Sequence, residues 1–252
     1  MILRRISTHL RKQEWTAIAI DFLIVVLGVF LGIQLGNWNE ARLERAQSAV
    51  FTRALEADLH ADAALYRGVA GYYESVRENA ERVLESLEGG APLSDEDLLI
   101  SAYRASQVAL VPVNRSTFEE LVSTARINLI TDAALRQTAI AHFGFNYIEA
   151  AAADGRQSDY RSLFRGTMPP DAHRAAREHC GDVQSTDIIA LDYHCVLGLA
   201  DAAVLKAAEA LRAERAMPAA LRRRINELDV QIRDLINRAN RLERALSPDA
   251  RP

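Results

Sequence analysis

The chain has 252 residues, a formal net charge of −4 and a hydrophobic share of 49%. A charge this close to neutral implies no polyanion partner, which argues against nucleic-acid binding. Beyond an N-terminal apolar run, enough chain remains for one domain with a real core.

Residues 1–15 read as a short cytoplasmic tail, and residues 16–38 as a transmembrane signal-anchor. From Ala17 to Gly36 the strongly polar side chains are Asp21 and Gln34. A helix needs about 20 apolar residues to cross ~30 Å of hydrocarbon. Trp15 and Trp38 fall at the two ends, where amphipathic rings prefer the headgroup boundary. The run is too long for a cleaved signal peptide, and no small-x-small cleavage site follows it. Arg4, Arg5, Arg11 and Lys12 precede the run. Arg42, Arg45 and Arg53 follow it, interleaved with Glu40, Glu44 and Glu56. That bias favours an N-terminus inside and places the bulk of the chain in the periplasm of a bacterial cytoplasmic membrane. The lipid bilayer is therefore the first expected partner. Within the span, Gly28, Gly32 and Gly36 repeat every four residues and would let two helix backbones approach closely. Asp21 falls near the same face, either as a hydrated interfacial carboxylate or paired with a partner subunit. Gln34 offers a hydrogen bond across helices.

Residues 39–246 read as an extracytoplasmic helical domain, followed by a tail at 247–252. From Asn39 to about Glu88 no proline interrupts the chain. Leu55, Leu59, Ala63, Tyr66, Val69, Tyr73, Val76, Ala80, Val83 and Leu87 form one stripe in steps of three and four. No breaker separates this helix from the span, which leaves two arrangements open: one continuous rod, or a helix that folds back. Gly89-Gly90-Ala91-Pro92 ends it. Ser94 predicts an N-cap, with Asp95, Glu96 and Asp97 in the first turn, where carboxylates suit the helix dipole. Ser116 and Glu119 have capping-box spacing, and Thr131-Asp132 marks another start. The helical pattern after it runs towards Phe164 and breaks by Met168-Pro169-Pro170. A further helix is predicted from about Asp187 to Arg215.

In the last segment Leu221, Ile225, Leu228, Ile232, Leu235, Ala239, Leu242 and Leu246 alternate spacings of four and three, a heptad seam. Two uses are open: packing back along the chain's own stalk, or self-association as a coiled coil. No strand-like alternation of useful length appears. The fold class is all-α: an N-terminal transmembrane helix continuing into an extracytoplasmic bundle with a C-terminal heptad helix.

Cys180 and Cys195 are an even pair outside the cytoplasm and predict a disulfide. Each follows a histidine, which also raises a zinc site, but neighbouring helical residues point about 100° apart and rarely reach one ion. No catalytic set stands out, with no Gly-x-Ser-x-Gly elbow and no His-Glu-x-x-His. His60, His142 and His173 read as core or surface histidines, and Tyr66 and Tyr73 as core. Tyr72 is a pocket-lining candidate. No cofactor is expected.

Two stretches resemble a known family. Asp21 to Glu40 carries an acid, a glycine-repeating apolar run, Gln34-Leu35 and Asn37-Trp38-Asn39-Glu40. Thr117-Phe118-Glu119-Glu120-Leu121-Val122-Ser123 leads to Asn128-Leu129-Ile130, Asp132, Leu135-Arg136 and Phe143. Both resemble a family of uncharacterised bacterial single-span membrane proteins with an Asn-Trp-Asn-Glu box after the span. The resemblance implies an N-terminal anchor and a helical outer domain, and no activity. Gly36 stands where that family more often has asparagine. Ser123-Thr124-Ala125 lacks the expected glycine, which leaves a tight turn there open. Function is expected in the class of scaffold, accessory subunit or self-associating interaction module, with a protein partner or homo-oligomer. The alternatives are a ligand-sensing bundle that signals through a partner chain and, with less support, an extracytoplasmic enzyme.

Overall fold

The structure is a computed structural model that describes residues 15–184, 189–191 and 193–247. Most of the expected N-terminal tail, the side chain of Trp15 and the end of the C-terminal tail lie outside the described residues. Two compact units divide the chain. One is Met1–Arg53 with Asn128–Thr131, and the other is Ala54–Ile127 with Asp132–Pro252.

The protein is all-α. Helix α1, Trp15–Leu87, is unbroken, so span and stripe form one helix. In the first unit its apolar stretch is exposed from Ala19 through Glu40, and it is long and apolar enough to cross a membrane. In the same unit the Ser48 hydroxyl donates to the Leu129 carbonyl at 2.5 Å.

Among the described residues the second unit packs eight further α-helices. These are α2 (Asp95–Ala105), α3 (Ser116–Ser123), α4 (Ala133–Phe143), α5 (Tyr147–Arg156), α6 (Asp159–Thr167), α7 (Pro170–His179), α8 (Asp201–Ala213) and α9 (Met217–Leu246). The predicted stripe is the core face of α1, with Leu55, Leu59, Tyr73, Val76 and Ala80 fully buried. Helix α9 runs antiparallel to it. Arg67 Nε donates to Glu243 Oε1 at 2.8 Å, Arg77 pairs with Asp229 at 3.0 Å, and Arg222 pairs with Glu88. Partner numbers fall on one side as they rise on the other. The heptad residues are therefore committed to this chain's own core: Leu221, Leu228, Leu235, Ala239, Leu242 and Leu246 are buried.

Several local expectations change. Ser94 caps α2, its hydroxyl accepting from the Asp97 N–H, and Asp132 caps α4. Ser116 is already helical and forms no capping box. Asn114 Oδ1, two residues before it, accepts from its N–H and hydroxyl instead. The predicted helix to Phe164 is three helices, because Asn146 and Ser158 each accept from a backbone N–H three residues on and restart the chain. Pro170 opens α7 rather than only ending its predecessor, since a first-turn proline has no lost N–H to replace. The helix predicted from Asp187 begins at Asp201. Before it, Val183–Gln184 pairs antiparallel with Ile189–Ala190, a two-residue ladder too short to show as alternation.

The Cys180–Cys195 disulfide forms, with the Cα atoms 5.5 Å apart. Its hairpin is clamped to α2. Arg104 donates to the Tyr193 carbonyl at 2.6 Å and lies over the Tyr193 ring at 5.2 Å. Glu96 accepts from the Leu197 N–H at 2.7 Å. The end of α2 is stitched down in a similar way. Tyr160 donates to the Ala102 carbonyl at 2.7 Å, Arg161 to that of Ser106, and Arg224 to that of Gln107 at 3.0 Å. Side chains from α6 and α9 thus satisfy carbonyls at and just past a helix end that has no helical donors left for them. Burial and nearby Arg165 lower the Arg161 guanidinium to about 10. Burial likewise lowers that of Arg224.

Candidate functional site

The first candidate is the apolar stretch of α1. In the isolated chain nothing lies within 4 Å of a Cβ built on Gly28, Gly32 or Gly36, so the glycine face is open. Asp21 and Gln34 are exposed, and Trp38 is 60% exposed. At 3.6 residues per turn Asp21 lies about 20° from Gly28, whereas Gln34 lies about 160° from Gly32 and Gly36. Gln34 therefore faces away from the glycine stripe and does not share its contact surface.

The second candidate lies in the second unit, between α4 and α9. Asp62 and His142 meet there at 2.7 Å, both almost fully buried. Asp62 lies on the stripe between Leu59 and Tyr66, at spacings of three and four, so α1 must carry it inwards. His142, in the last turn of α4, packs edge-on against Tyr66 with ring centres 5.5 Å apart. A carboxylate so buried requires a partner, and the imidazole supplies one. From the sequence His142 reads only as a core or surface histidine, and nothing there singles out Asp62. The signal that would have found the pair is an aspartate standing on the buried period of an apolar stripe.

His142 also lines a cavity of about 700 Å³. Arg238, Arg241 and Arg244 of α9 surround it, with Thr138 of α4 opposite and Leu242 beside them. The arginine spacing of three keeps the set along one side of the helix. Arg238 is held over the Tyr147 ring at 4.4 Å and the Phe145 ring at 5.6 Å, a cation–π clamp. The Tyr147 hydroxyl donates to Asp234 at 3.2 Å, and burial followed by that carboxylate raises its pKa. Arg244 Nε turns back to the Asn240 carbonyl at 3.2 Å.

The remaining predicted positions are structural. His60 is exposed. Tyr66 and Tyr73 are core, as expected. Tyr72 is buried, and its hydroxyl donates to Asp182 at 2.9 Å. With Cys180 and Cys195 bonded to each other, neither sulfur is free as a zinc thiolate. Among the described residues no three His, Cys, Asp or Glu side chains gather where a metal ion could sit. No protein-family model, curated protein or solved structure matches this chain.

Proposed function

We propose that this protein is a single-span, membrane-anchored interaction module, an accessory or scaffold subunit whose helical domain lies outside the cytoplasm. One observation carries the reading: an apolar helix segment with an open glycine face, fully exposed in the isolated chain and continuous with a packed outer domain. A glycine stripe in lipid lets a second helix approach to backbone contact, where packing drives association. The disulfide supports an oxidising compartment for the domain. The charge bias around the span supports the N-inside orientation. Because the heptad residues face the chain's own core, the contacts assigned to partners are those of the span. The family resemblance, with its Asn37-Trp38-Asn39-Glu40 box, belongs to the same proposal.

Two experiments test it. A reporter fused after Pro252 that works only in oxidising compartments should be active; activity of a cytosol-only reporter at that position refutes the orientation. Crosslinking in mild detergent should capture a second helix, either a copy or another subunit. Gly32→Ile should weaken that capture by separating the backbones. Unchanged crosslinking in that variant removes the role of the span.

A further inference from the structure

We infer that the cavity between α4 and α9 is a binding site for a polyvalent oxyanion, a small molecule carrying phosphate or several carboxylates. Elsewhere in the domain arginines are matched to acids: Arg67 to Glu243, Arg77 to Asp229, Arg212 to Asp95, Arg222 to Glu88 and Arg223 to Asp159. Arg238, Arg241 and Arg244 converge on one concavity, yet among the described residues no carboxylate forms an ion pair with any of them. The nearby acids are engaged elsewhere. Glu243 is held by Arg67, Asp234 by Tyr147, and Asp62 by His142. His142 lines the cavity and Asp62 does not, so the imidazole separates the buried carboxylate from the arginine field.

Helix-end electrostatics do not explain the set. A cation complements the dipole only within the last turn, which covers Arg244. Arg241 lies just before that turn, and Arg238 lies more than two turns from the end of α9 at Leu246. Arg238 is moreover pre-positioned by its aromatic clamp, so little side-chain freedom is lost when it meets a ligand. Three cations rising ~4.5 Å apart along the helix fit several charged oxygens better than one. The volume suits a molecule of several heavy atoms beyond a single ion.

The test uses the full chain in phosphatidylcholine nanodiscs. Pyrophosphate and citrate are titrated at constant ionic strength, with calorimetry and the thermal midpoint as readouts. Saturable binding of either anion is expected, with a midpoint that rises with ligand. Arg241→Gln, an exposed position, should weaken Kd at least ~10-fold through one lost charge-assisted contact. The R238Q/R241Q/R244Q triple variant should show none, while its ligand-free helical circular dichroism stays native. A parallel arm compares nanodiscs containing phosphatidic acid. If only these raise the midpoint, and the triple variant abolishes the rise, the headgroup is the source and the oxyanion site stands. Absence of binding in every arm overturns the inference, as does binding that Arg241→Gln and the triple variant leave unchanged. The result is independent of crosslinking through the span, so either proposal can fail alone.

Discussion

Ala125 has φ of +56°, the left-handed region that favours glycine. Helix α3 ends there in a Schellman arrangement. The Arg126 N–H donates to the Leu121 carbonyl at 2.8 Å, and the Ala125 N–H to that of Val122 at 3.1 Å. The turn left open by the missing glycine therefore forms, with alanine in the strained position. A left-handed L-residue costs about 1–2 kcal/mol. Glycine returns ~0.4–1 kcal/mol of that through the greater freedom of its unfolded chain. Ala125 is exposed, so its methyl contributes no packing that glycine would lose. Ala125→Gly should stabilise the helical domain by about 0.5–1 kcal/mol, a rise of roughly 1–4 °C for a domain of this size. Thermal unfolding of the full chain in detergent, followed at 222 nm, reads the change. Ala125→Val should move the midpoint down, because a β-branched side chain tolerates positive φ worst. A glycine variant with native circular dichroism and an unchanged or lower midpoint would refute the strain argument.

Three other outcomes follow from the packing. Gly155→Ala should destabilise by about 1–3 kcal/mol, since its Cβ would sit 2.6 Å from Val108 Cγ1 and 3.4 Å from Arg224 Nη1; an unaffected urea midpoint contradicts that close approach. Removing the disulfide by Cys180→Ser with Cys195→Ser reopens a loop of 15 residues and should cost about 3 kcal/mol, measured as a lower urea midpoint that reductant no longer shifts. His173 is held below its ordinary value of 6.5, by burial first and then by Arg165, Arg177 and Arg161. The folded state thus favours the neutral ring, and its contribution, complete above 6.5, is lost as pH falls through that value towards the folded pKa. Replacing it in His173→Phe should flatten the fall in thermal midpoint between about pH 7.5 and about pH 5.5, and an identical slope in both proteins would show that His173 does not titrate differently on folding.

The helices were largely legible because their signals are local. A stripe at three-and-four spacing, a serine or aspartate before it and a glycine pair after it act within a few residues, as Ser94, Asp132 and Gly89-Gly90 demonstrate. Structure and local pattern differ where two local signals compete. Ser116 with Glu119 had the right spacing, but Asn114 took the same N–H. Ser158 restarted a helix inside a pattern that looked continuous. The arginine cavity was not legible, because Arg238, Arg241 and Arg244 resemble any solvated helix face until a facing helix encloses them.

By itself the sequence determined a single long apolar segment, the helical class and the apolar face of α9, since the apolar pattern depends on composition and period alone. Tertiary structure alone decided which polar groups meet. Asp62 finds His142 across 80 residues, Arg104 finds Tyr193 across 89, and Arg224 finds Gln107 across 117. A buried polar atom takes whichever partner the packed helices bring within reach, and that choice depends on three-dimensional proximity that no local spacing encodes.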